Sequence, residues 1–252
     1  MHHLFRCWTH VAGRFRSSRT IALFLDFDGT LAPLHPRPDD VWLDMATRRT
    51  LLRLTQSPHF RVWVVSGRRQ ADVRARVRVP GIRYLGLHGW EGRVNTAVAE
   101  ETREIVRCAK SWLGALLLSV PGIWIEDKDV TLAIHYQSVA EEGVRSARRF
   151  VQAVLDSFAG SLQLIRGKNV WEIAPAELGD KGVAVTEEYS ALAGSAVAVY
   201  IGDDHMDEPA FAALTRGVTV RVGTACRTRA RYRLSSVAQV HQFLEKLEQE
   251  FA

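Results

Sequence analysis

Cysteine is scarce in this chain: three in 252 residues, Cys7, Cys108 and Cys226. They are odd in number and far apart, which excludes a disulfide framework, and none belongs to a C-x-x-C metal pair. A reducing compartment fits this usage, so a cytoplasmic location is expected. Long apolar runs are lacking too. The longest, Leu113 to Val120, contains Gly114 and Ser119 and falls far short of the roughly 20 residues of a membrane span. No membrane partner is expected. Acidic residues are missing from the first twenty positions, MHHLFRCWTHVAGRFRSSRT. Such composition occurs in transit peptides, but this segment has neither an apolar h-region nor a small-residue cleavage site. The expectation is a short basic helix covering one end of the domain.

The net charge is +5, from 33 Lys+Arg against 28 Asp+Glu. A basic balance suits nucleic acid or a small anion. The arginines are scattered, as at Arg48, Arg53, Arg68, Arg76, Arg229 and Arg233. They read mostly as solvated helix faces and loops. No aromatic residues are interleaved with them to form a base-stacking platform. Nucleic acid is therefore not an expected partner. The remainder is ordinary for a globular protein, 47% hydrophobic and 24% charged, with enough chain for one large domain or two modest ones.

Residues 21–27 read as a strand, closed by Asp-Gly turn chemistry. Apolar spacing predicts a helix over 44–54, a buried strand over 62–65, a helix over 68–78 and a short strand in GIRYLGLHG. This alternation is the signature of a parallel sheet with helices on both faces. It returns in AVAVYIGDD (196–204), PAFAAL, GVTVRVG and a closing amphipathic helix in SSVAQVHQFLEKLEQEF. Between these halves the texture is helix (97–118), hairpin, helix (138–158), hairpin, an α+β pattern. The expected organisation is a core over 1–95 with 1–20 as its N-terminal extension, an inserted domain over 96–175, and the core resumed over 176–252.

Four apolar runs stop at groups that do chemistry: Asp26 and Asp28, Ser66, His88, and Asp203 with Asp204. In open α/β sheets ligands bind beyond the carboxyl ends of the strands, so the four runs deliver these groups to one place. In an extended chain the side chains of Asp26 and Asp28 lie on similar sides. Together with Asp203 they can surround a hard cation such as Mg²⁺, which takes oxygen ligands. The cation would relieve their mutual repulsion. Lys181 could neutralise phosphate oxygens.

D-x-D-G-T at 26–30, Ser66 closing a strand, Lys181 before a helix and G-D-D-x-x-D-E at 202–208 together resemble the haloacid dehalogenase-like phosphatases. Within them the chain is similar to the trehalose-6-phosphate phosphatase family. The sharper matches are VSGR (65–68), LHGWE (87–91), EDKDVTLAIHY (126–136), GKNVWEIAP (167–175) and YIGDDHMDEPAF (200–211). The resemblance implies a doubly wound, mostly parallel α/β core of the Rossmann-like kind with an inserted α+β cap. It implies a Mg²⁺-dependent phosphatase whose partner is a small sugar phosphate; a monomer is expected. Its reaction would be hydrolysis of trehalose 6-phosphate, the last step of trehalose biosynthesis.

By the same resemblance Asp26 is the nucleophile and Asp28 the acid and base. Ser66 and Lys181 hold phosphoryl oxygens. Asp26, Asp28 (through its backbone carbonyl), Asp203 and Asp207 hold the metal. Arg68, His88, Glu91, Glu126, Lys128, Lys168 and Glu172 meet the substrate. Two positions depart from the family pattern: Gln137 and Ala174 stand where arginine is usual. They leave room for the same chemistry on another sugar phosphate, of sucrose or mannosylglycerate-precursor type. A non-catalytic sensor is the least favoured reading, because such proteins commonly lose the nucleophile or the lysine.

Overall fold

The computed structural model describes residues 1–92, 99–167, 169–192, 194–224 and 227–252. In chain order the elements are β1 (His2–His3), α1 (Trp8–Arg16), β2 (Thr20–Leu25), α2 (Met45–Gln56), β3 (Phe60–Val65), α3 (Gln70–Val77), β4 (Arg83–Leu85), α4 (Glu100–Leu117), β5 (Trp124–Asp127), β6 (Leu132–His135), α5 (Glu141–Ser157), β7 (Leu162–Gly167), β8 (Val170–Pro175), α6 (Lys181–Ser190), β9 (Ala196–Gly202), α7 (Glu208–Ala213), β10 (Val218–Val222), β11 (Tyr232–Leu234) and α8 (Val237–Phe251). The chain divides into two units, Met1–Val94 with Gly179–Ala252, and Asn95–Leu178. Among the described residues no helix is long and apolar enough to cross a membrane.

The first unit holds a seven-stranded sheet in the order β1-β11-β10-β9-β2-β3-β4, with every pair parallel. Its strands are apolar on both faces, as a covered parallel sheet requires. Alternate residues feed two cores. Ile21, Leu23, Leu25, Val199 and Ile201 pack with α2 and α8, through Leu51, Leu54, Phe243 and Leu244. Ala22, Phe24, Trp63, Ala198 and Tyr200 pack on the other face with Ala184, Val185, Ala210 and Phe211 of α6 and α7. The strand order reverses between β2 and β9, whose ends are in register at Leu25 and Ile201. This is a switch point, where such sheets bind ligands.

Several details differ from the sequence reading. β2 stops at Leu25, two residues early. Phe27 is buried and its carbonyl accepts from Leu31 N–H at 2.9 Å and Ala32 N–H at 3.0 Å. That turn, not a longer strand, satisfies the backbone. Two strands escaped notice, β1 and β11, because two and three residues carry no period. The N-terminal segment does form a helix, and α1 buries Val11, Ala12 and Phe15. Arg76 is not solvated: it is only 6% exposed.

The second unit is a four-stranded antiparallel sheet, β5-β6-β8-β7. Ile134, Trp171 and Ile173 pack with Val106, Leu113, Val151 and Val154 of α4 and α5. The register aligns Glu126, Ala133 and Glu172 across three strands. Period two therefore puts Glu126 and Glu172 on the face opposite that core.

Candidate active site

Asp26 is the first residue past β2, and its N–H still donates to Ile201 O at 2.9 Å. Asp203 follows β9. Asp207 ends a single helical turn capped by Asp204, with the Asp204 N–H donating back to Asp207 Oδ2 at 2.9 Å. One oxygen from each of Asp26, Asp203 and Asp207 lies within 4.8 Å of the others. Lys181, at the start of α6, donates its Nζ to Asp26 Oδ1 at 2.6 Å and to Asp207 Oδ1 at 2.7 Å. Both carboxylates and the ammonium are buried. A side chain at position 29 would fill this space: Gly29 has φ +79°, and a Cβ there would stand 2.3 Å from Asp203 Oδ2.

One ammonium does not neutralise three carboxylates. Burial pushes Asp26 well above the ordinary carboxylate range; Lys181 opposes this, but Asp207 and Asp203 add to it. Burial, then Asp207 and Asp204, pushes Asp203 up to about 7. For Lys181, burial works against the charge, but Asp207 and Asp26 raise it well above its ordinary value. An all-oxygen, surplus-negative donor set fits a hard divalent cation. Between about 3.8 and about 7 folded Asp203 keeps a proton that the unfolded chain has released, so metal-free stability falls as pH rises through that window. The raised Lys181 acts only at higher pH. In EDTA the melting temperature is expected to drop by several degrees between pH 4 and pH 7.5, read by calorimetry. Magnesium should recover more of it at the upper end.

Asp28 does not join this cluster. The turn after Leu25 sends its carboxylate to Arg68, which donates Nε to Oδ2 and Nη2 to Oδ1, each at 2.7 Å. Arg68 was expected on the substrate. It also donates Nη1 to Asp72 Oδ2 at 3.0 Å and Nη2 to Pro38 O at 2.8 Å. Burial lowers its pKa, but the bonds to Asp28 and Asp72 more than offset this and raise it.

Ser66, His88 and Glu91 meet around one pair of loops. Ser66 is buried, and its Oγ accepts from Arg68 N–H at 3.1 Å. Its carbonyl accepts from His88 N–H at 2.9 Å. Leu87 and His88 are both left-handed, at φ 46° and 59°. Glu91 Oε2 accepts from Gln70 N–H at 2.5 Å, at the first residue of α3. That gives Glu91 a capping role the sequence did not suggest.

On the polar face of the inserted sheet, Glu126 pairs with His135 Nε2 at 3.0 Å. Burial opposes its charge, but His135 and the nearby Lys128 more than offset this and lower its pKa. Lys128 and Glu172 are buried, with Nζ 3.4 Å from each Glu172 oxygen. Thr131 Oγ1 donates to Glu172 at 2.7 Å. Ala174 is fully buried and Gln137 exposed. Lys168 lies outside the described residues.

Sequence reasoning missed Tyr200, whose hydroxyl donates to Asp207 Oδ1 at 2.8 Å. A signal was present: a hydroxyl in a fully buried strand needs a partner. It also missed Asp72.

The sequence model of the Trehalose-phosphatase family matches residues 24–238. Trehalose 6-phosphate phosphatase RA3 of Zea mays is 30% identical, over 91% of this chain and 70% of its own length. A trehalose-phosphate phosphatase of Mycobacterium bovis is 33% identical, over 91% of this chain and 62% of its own. In fold, the chain is similar to the C-terminal domain of C. albicans trehalose-6-phosphate phosphatase. The TM-score is 0.85 at 21% identity, covering 100% of this chain and 99% of that one. The family match begins inside β2 and ends inside α8, so it takes in all of the acidic cluster, Lys181 and the inserted sheet: the chain belongs to the trehalose-phosphatase family.

Proposed function

We propose that this phosphatase takes the phosphate from trehalose 6-phosphate in a magnesium-dependent reaction, by way of an aspartyl phosphate on Asp26. The observation that carries the reading is the buried Asp26–Lys181–Asp207 array with Asp203, at the adjoining ends of β2 and β9. A carboxylate beside an ammonium, at a place suited to a cation, is a nucleophile with its phosphate-binding charges already in position. Asp26, Asp203 and Asp207, with the carbonyl of Asp28, would hold Mg²⁺. The ion, when bound, supplies positive charge to the phosphate oxygens.

The chain's own residues do the rest. An Asp26 oxygen attacks phosphorus as the bond to the sugar oxygen breaks, and Asp28 gives that oxygen a proton. Water then attacks the same phosphorus, losing its proton to Asp28, and the Asp26–phosphate bond breaks. Lys181 and Ser66 hold the phosphoryl oxygens. Glu126, Lys128, Lys168 and Glu172 would bind sugar hydroxyls.

A second reading, hydrolysis of another sugar phosphate, is favoured by Ala174. It shares the polar sheet face with Glu172 and offers no donor where a bidentate arginine is usual. Phosphate release from trehalose 6-phosphate, sucrose 6-phosphate and a phosphorylated mannosylglycerate separates the two. Trehalose 6-phosphate is expected to turn over at least tenfold faster. Release should vanish in EDTA and return with Mg²⁺. Preference for another sugar phosphate would refute the substrate; full activity in EDTA would refute the metal.

A further inference from the structure

Three charged residues four apart, Arg68, Asp72 and Arg76, run from just before α3 to its last turn. Asp72 stands between the two arginines and gives one oxygen to each: Oδ2 to Arg68 Nη1 at 3.0 Å, Oδ1 to Arg76 Nε at 2.7 Å. Arg76 then donates Nη1 to the carbonyls of Asp39 and Val41, both at 2.9 Å. Arg68 donates to the carbonyl of Pro38, and its guanidinium sits 5.6 Å above the Phe27 ring centroid. Arg68 is thus fixed from three directions, and its free edge is the fork that takes both oxygens of Asp28.

Tying α3 to residues 38–41 requires Arg76 and those carbonyls. It does not require the second oxygen of Asp72 to reach Arg68. We propose that Asp72 is a positioning residue for Asp28, acting through Arg68. The planar guanidinium transmits orientation because its donors are fixed relative to one another: anchoring Nη1 sets where Nε and Nη2 point. With both oxygens accepting from that fork, the Asp28 carboxylate is held in one orientation. The inference rests on the phosphatase reading and on Asp28 as the acid and base.

Asp72→Asn tests it. The amide keeps the size but leaves one arginine without a carboxylate oxygen, and the fork loses its anchor. A misplacement of about 1 Å at a reacting group costs on the order of 10²-fold. For the natural type of substrate, a sugar phosphate, kcat is expected to fall about 10- to 100-fold with KM within about twofold. With p-nitrophenyl phosphate, whose leaving group departs as a stable anion, attack by Asp26 is spared and breakdown of the aspartyl phosphate is not. Rapid mixing should then show a burst of nitrophenolate, about one per enzyme, that the wild type lacks. Asp72→Glu restores the carboxylate and should recover kcat to within about threefold. Arg76→Gln loosens the tie to 38–41 and should lower the melting temperature with kcat within about threefold.

The assignment is overturned if Asp72→Asn keeps its kcat, shows no burst, or fails to fold. It is also overturned if Arg76→Gln gives the same burst, which would make the effect one of loosened structure. A wild type inactive on both substrates overturns the phosphatase reading itself, and the inference with it; an active wild type alongside an unaffected Asp72→Asn overturns the inference alone.

Discussion

Asp26→Asn is expected to reduce phosphate release by at least about 10⁴-fold while leaving a folded chain, because a catalytic nucleophile has no substitute within its site. The amide cannot form the aspartyl phosphate, yet its size suits the same buried space. Stability has two opposing terms here. Lys181 loses one partner but keeps Asp207 at 2.7 Å. In return the like-charge pressure that Asp26 shares with Asp207 and Asp203 disappears. The metal-free variant should therefore melt within a few degrees of the wild type. Acid-quench labelling with ³²P-substrate gives the sharper readout: label trapped on the wild-type protein and none on the variant. Retained turnover would remove Asp26 from the chemistry.

Lys181→Met should damage both stability and activity. Removing the ammonium leaves Asp26, Asp203 and Asp207 mutually close without the cation that bonds Asp26 and Asp207. Breaking a buried pair by deleting one partner costs about 3–5 kcal/mol, on the order of 10 °C in melting temperature for a chain of this size. Activity should fall by about 10²–10³-fold, the usual effect of deleting one preorganised donor. Millimolar Mg²⁺ should recover part of the stability, since the ion would take up the unneutralised charge, and little of the activity. A variant as stable as the wild type in EDTA would show that the lysine does not balance the cluster.

The core was legible because its strands are continuous apolar runs and its helices are amphipathic. Ile21–Leu25 and Val62–Val65 could hardly be anything other than buried strands. Asp26, Lys181 and Asp203 were legible as a set because each sits where an apolar run or a helix begins or ends, whereas Asp207 came only through the family resemblance. The consequences of backbone turning were not. Whether Asp28 would share the cluster with Asp26 depends on the chain leaving the strand at Leu25, and no period announces that. The roles of Arg68 and Glu91 were hidden for a related reason: their partners, Asp28 and the first N–H of α3, are 40 and 21 residues away. Arg76 looked solvated because two of its partners are the backbone carbonyls of Asp39 and Val41, which leave no trace in residue types. The hairpins of the second unit declared themselves by alternation, whereas the burial of Lys128 beside Glu172 came only from the register of β5, β6 and β8.

The parallel sheet ends in very short strands, two residues in β1 on one side and three in β4 on the other. A long open edge is a template on which a second chain can add its own strand. Here β11 is shielded by His2 and His3, and the same segment runs directly into Leu4 and α1, both seated in the core. The N-terminal residues thus cover that edge of the sheet. Cutting them away would bare the rim at Tyr232–Leu234 and uncover apolar surface beside it, so that the trimmed protein would be prone to aggregate.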